Sequence, residues 1–186
     1  AYVVILIGYF IAGAGVGPIY PGFITILGNT PGIDMASALA RAFMIAMIAG
    51  RLGANRITQR FHIHHTVRFL GLVGGFGFLI FLAIAVNLPA ELKHWALAAT
   101  CIAFAFGGAG SSLMAPTFYT AGNTRSNLPS AVLVGQMGVV NNIAVIILKA
   151  TVAWTAQFTG SLAIALVIPA VLLLSAAYFA RVLKTD

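Results

Sequence analysis

The chain has 186 residues, of which 61% are apolar and only 7% charged, with a mean hydropathy of +1.03 and a formal net charge of +7. A water-soluble domain carries about a quarter of its residues charged, so this composition excludes one. It also excludes a transmembrane β-barrel, whose strands alternate over short segments instead of running apolar over long ones. What remains is a bundle of membrane-spanning helices, each needing roughly 20 mostly apolar residues to cross a hydrocarbon core about 30 Å thick.

Six apolar stretches follow one another, near 2–27, 34–53, 68–87, 93–119, 129–153 and 159–181. This predicts an all-α membrane protein, a single bundle of six transmembrane helices over residues 1–186. The first stretch holds Pro18 and Pro21 and the fourth holds Pro116, so both are expected to kink. The chain opens at Ala1 already inside an apolar run, without Met or flanking charge, which suggests a start missing from this chain. Cys101, the single cysteine, lies inside an apolar run and is read as a packing residue.

Loop charges set the orientation. Arg51, Arg56, Arg60 and Arg68, with His62, His64 and His65, lie between the second and third stretches. Arg125 follows the fourth, and Arg181 and Lys184 follow the sixth. Six crossings put all of these on one side and leave only Lys93, beside Glu91, on the other. By the positive-inside rule the basic side is cytoplasmic, so both ends are expected there, in a bacterial inner membrane. The basic pI near 10.2 therefore reports topology, and no basic-and-aromatic patch points to nucleic acid. The three loop histidines have no cysteine or carboxylate beside them, which favours a solvated loop over a metal site.

The chain also echoes itself. Gly13-Ala14-Gly15, then Pro21, Phe23 and Thr25, recurs as Gly108-Ala109-Gly110, then Pro116, Phe118 and Thr120. Both copies end in Gly-Asn-Thr, at Gly28–Thr30 and Gly122–Thr124. The offset is three spans, which predicts a three-plus-three inverted repeat with spans one and four equivalent.

The segment Gly50-Arg51-Leu52-Gly53-Ala54-Asn55-Arg56-Ile57-Thr58-Gln59-Arg60-Phe61 resembles the signature loop of the major facilitator superfamily. It looks most like the version in the second half of fucose-permease-like members. Gly50, Arg51, Leu52, Arg56, Arg60 and Phe61 match that pattern. Asn55 stands where an acid is usual and His62 where Gly is usual, which puts a full-strength state-locking ion pair in doubt. Arg68 with Gly71, Gly74 and Gly75 opens the next span in the family manner. The motif covers about twenty residues, and the span layout extends the likeness loosely over the chain. The resemblance implies one six-span half, the C-terminal one, of a twelve-span secondary transporter that works by alternating access. It also implies a loop that docks against neighbouring helix ends, where a tight glycine turn permits close approach and arginines cap helix C-termini.

Ionisable and amide groups inside a span are expensive and mark candidate sites. Arg41 sits early in span two on one face with Asp34, Ser37 and Ala38. It either snorkels outward to pair with Asp34 or faces a central cavity. Lys149 lies late in span five, with Asn142 seven residues earlier and Gly135 and Gly138 above them; Gln136 and Asn141 occupy other faces. Lys149 either snorkels or faces the cavity, which the resemblance has spans two and five line. Tyr9, Tyr20 and Tyr119 offer a hydroxyl, an aromatic wall or interface anchors. Arg41 and Lys149 together predict an electropositive cavity for a small polar or anionic organic solute.

The partners expected are lipid, a small solute and a second six-helix half, in the same polypeptide or another chain. No enzyme is expected, since there is no nucleophile–base–acid set, phosphate loop or intramembrane histidine pair, and no cofactor is implied. The rival reading is a non-transporting membrane subunit that scaffolds a larger complex.

Overall fold

Hydrocarbon offers no partner for a peptide group, so an apolar chain in it must satisfy its backbone internally, which a helix does. The computed structural model describes residues 3, 5–8, 10, 11 and 35–183, and these are helical apart from short connections. After a helical piece over the described residues between 3 and 11, α1 runs Met35–Thr58 and α2 Ile63–Asn87. A 3₁₀ turn, Ala90–Trp95, leads into α3, Ala96–Ser111, and α4, Met114–Arg125. Then come α5, Ser130–Thr159, the single turn α6, Leu162–Ala165, and α7, Val167–Phe179, closed by a 3₁₀ turn at Ala180–Leu183.

Among the described residues four helices are long and apolar enough to cross a membrane, Ile63–Asn87, Ala96–Arg125, Ser130–Thr159 and Leu162–Phe179, and α1, the expected second span, is not one of them. The expected first span beyond residue 11, with Pro18, Pro21, Tyr20 and the first copy of the echo, lies outside the described residues. So do Tyr9, Asp34 and Lys184.

The expected boundaries shift by up to six residues, outward at four ends and inward at both ends of the last span, which runs Leu162–Phe179 instead of 159–181. Apolar runs set the expected ends, but helical hydrogen bonding continues past several of them. The second helix runs to Thr58 instead of 53, the third starts at Ile63 instead of 68, the fourth reaches Arg125 and the fifth Thr159. The fifth stops where Gly160 adopts φ 64°, a left-handed C-cap that favours glycine.

Prolines explain the breaks. Pro116 has no N–H to donate to Ser112, four residues back, and the fourth span breaks at Ser112–Leu113 as expected. Pro169 does the same to Ala165, and α6 and α7 part at Leu166, a break the sequence reading did not anticipate. Hydroxyls stay on their own helices: Thr100, Thr120, Thr151, Thr155 and Ser175 each donate to the carbonyl four residues earlier.

The helices pack through glycine. A Cβ at Gly74 would lie 2.5 Å from the Cα of Gly110, and one at Gly110 would lie 2.8 Å from the Cα of Gly74. Only hydrogen side chains let α2 and α3 cross this closely. A Cβ at Gly108 would strike the backbone carbonyl of Phe43, which brings α1 onto the other side of α3. Phe43, Phe78 and Phe104 fill one end of the core, while Met114, Phe118, Leu133 and Met137 fill the other. Outward faces are apolar as well: Leu52 is 77% exposed, Phe158 76% and Ile146 67%. Such surfaces need an apolar solvent or a partner helix.

Candidate functional site

The ends of α1 and α4, the start of α2 and the closing turn at Leu183 meet at one end of the bundle. Arg51 and Arg125 lie there, as do His64, His65, Arg68 and Arg181. Glu91, the one acid among the described residues, sits exposed in the turn at the opposite end of α2. The single-sided charge read from the sequence is therefore present in the fold.

The stretch that resembles the signature loop is not a loop. Gly50 to Thr58 are helical, and the chain turns only at Gln59–Phe61. The expected tight turn at Gly50 is corrected accordingly: none of these residues breaks a helix as proline does. Close approach at Gly50 does occur, because a Cβ there would lie 2.5 Å from Ser112 Oγ. That proximity lets Arg51 Nε donate to the Ser112 carbonyl at 3.3 Å. This is the carbonyl that Pro116 leaves without its helical donor, so the guanidinium caps the broken end of α3, where partial negative charge collects. Asn55 is on α1 as well, and Arg56 and Arg60 are exposed.

Beside this contact lies a cleft of about 510 Å³. Arg51 and Arg125 line it together with Thr58, Thr117, Thr120 and Thr124. The last three are spaced three and four apart, which stacks them on one face of α4. Their protons are committed to backbone carbonyls of Leu113, Pro116 and Ala121, and that of Thr58 to Ala54. The hydroxyl oxygens keep acceptor capacity. Cations beside hydroxyl acceptors suit a solute that carries negative charge and also N–H or O–H donors. The sequence reading missed Ser112 and the threonines and took Arg125 for topology alone. The signal available was the spacing of Thr117, Thr120 and Thr124.

The residues expected to line a central cavity sit elsewhere. Arg41 is exposed on α1, on one face with the exposed Ile45, Ile48 and Leu52. On α5, Gln136 and Asn142 are exposed, while Asn141 and Lys149 are half-buried. Nothing lies within 4 Å of a Cβ built at Gly135 or Gly138. Lys149 was expected near the end of its span, but α5 continues to Thr159, about 15 Å further on at 1.5 Å per residue. Asn141 and Asn142 fall within about 5 Å of the middle of α5, and Lys149 about 7 Å beyond it. Arg41 lies about 8 Å from the middle of α1, displaced like Lys149 toward the end away from the basic cleft. Each cation is thus displaced from the midpoint of its own helix toward the end away from the basic cleft. Tyr119 is half-buried against the core. Among the described residues no group of His, Cys, Asp and Glu is arranged to hold a metal.

Compared with known proteins, the chain matches no family model, no curated protein and no solved structure.

Proposed function

We propose that this chain is one six-helix half of a major-facilitator-type secondary transporter that moves a small polar or anionic organic solute by alternating access. The reading places it in a bacterial inner membrane with both ends cytoplasmic, the three-plus-three repeat within it and a second half opposite. The observation that carries it is the set of polar groups on outward helix faces away from the helix ends, Asn142 and Lys149 on the apolar α5 and Arg41 on α1. Asn142 and Arg41 are exposed, Lys149 is half-exposed, and beside them Gly135 and Gly138 leave space for something outside this chain. Lipid is a poor neighbour for a guanidinium or an amide at that depth, whereas a water-filled path between two halves is a good one.

A test that needs no knowledge of the substrate uses single cysteines in a Cys101→Ser background. Arg41→Cys and Asn142→Cys are expected to react with a membrane-impermeant thiol reagent, and Ile80→Cys, on the outward apolar face of α2, is not. All three staying unreactive would favour the scaffold reading. Once a solute is found, Arg41→Ala and Lys149→Ala are each expected to lower its uptake about tenfold or more, as loss of a charged hydrogen bond does. Uptake unchanged in both would sink the electropositive cavity.

A further inference from the structure

We propose that the pocket formed by His64, His65, Arg68 and Arg181 is a binding site for the phosphate group of an anionic phospholipid. This rests on the membrane reading alone, not on transport. The four side chains line a recess of about 320 Å³ between the start of α2 and the turn that ends the chain's last helix. The His64 and His65 rings are 4.0 Å apart between centroids, and the Arg181 guanidinium is held 4.6 Å from the centre of the exposed Tyr178 ring. Two guanidiniums present planar forks that match phosphate oxygens, and the imidazole N–H groups add donors. No carboxylate among the described residues lies at this end of the bundle to neutralise them.

The surface below the pocket argues for a lipid over a soluble anion. Phe69, Val73, Phe76, Ile80 and Ile84 are all exposed and continue down α2 on the face that His65 begins. Val167, Val171 and Tyr178 form the matching exposed face of α7, and Arg181 lies in the 3₁₀ turn that follows it. Cations that cap two apolar stripes at one end of a membrane bundle meet a headgroup and its acyl chains together. Basic pockets between helices on the cytoplasmic side take anionic headgroups for this reason.

The experiment titrates the purified chain in neutral detergent with phosphatidylglycerol, phosphatidylcholine or sodium phosphate, and reads its thermal midpoint. Phosphatidylglycerol is expected to raise the midpoint saturably, while the other two do not. The Arg68→Gln/Arg181→Gln double variant should weaken the apparent affinity about tenfold or more, since each interfacial cation contributes. Arg56→Gln/Arg60→Gln, at the same end but outside the pocket, should change it far less. Should the first variant fail to fold, His64→Gln/His65→Gln is read in its place against the same prediction. An equal shift with sodium phosphate would assign a free anion and overturn the lipid. A phosphatidylglycerol shift that survives the pocket variants would overturn the site.

Discussion

Gly74→Ala is expected to destabilise the bundle by about 1–3 kcal/mol, whereas Gly135→Ala should leave it unchanged or slightly more stable. The difference comes from what the added methyl meets. At Gly74 it meets the Cα of Gly110 at 2.5 Å and the Phe106 carbonyl at 2.8 Å. Both are backbone, which no rotamer change can move aside. The helices must separate, and every contact along α2 and α3 weakens with them. At Gly135 the methyl meets nothing within 4 Å, and alanine is the better helix former. Gly110→Ala should cost a similar amount, and the Gly74→Ala/Gly110→Ala pair should cost less than the sum, because the helices separate only once. Cys101 supplies the readout. It is the sole cysteine, partly covered on α3, so a thiol-reactive dye reports its release on heating. Equal midpoints for Gly74→Ala and Gly135→Ala would mean that the crossing is not set by glycine. A loss at Gly135 in cells, absent in the purified chain, would mark it as contacting a second half.

How far the sequence can be read follows from what each residue type reports. Long apolar runs identified the four described spans, because hydrocarbon leaves few alternatives to a helix. Several ends were misplaced because hydropathy records where lipid stops, while Ala54, Arg56 and Ile57 continue the helix beyond that point. Pro116 announced its own break, and Pro169 carried the same signal without being read. The role of Arg51 was legible in kind, as a cap on a helix C-terminus, but its partner was not. Ser112 is 61 residues away, and only packing brings α1 there. The threonine face of α4 was hidden among residues usually satisfied within their own helix. Arg41, Asn142 and Lys149 were found because each is costly where it sits. What covers them is a property of surfaces outside this chain, which its own sequence does not encode.

Arg51 and Pro116, which line the same cleft, are expected to be energetically coupled through the Ser112 carbonyl. Arg51→Ala removes the donor from the Ser112 carbonyl and should cost about 1 kcal/mol, less than a buried charged hydrogen bond because the arginine is exposed. Pro116→Ala restores an N–H four residues after Ser112, so that carbonyl can be satisfied within its own helix and the break at Ser112–Leu113 can close. In the Pro116→Ala background, Arg51→Ala should therefore cost close to nothing. The coupling energy should equal most of the single-variant cost. Arg51→Lys separates geometry from charge: an ammonium keeps the attraction to the helix end but lacks the fixed Nε donor, so partial recovery is expected. The same melting assay gives all four corners of the cycle. Strictly additive costs would show that Arg51 acts through something other than the carbonyl. Coupling would show that the break in this span, and the threonine-lined cleft beside it, are held open by a proline and stabilised by an arginine from a different helix.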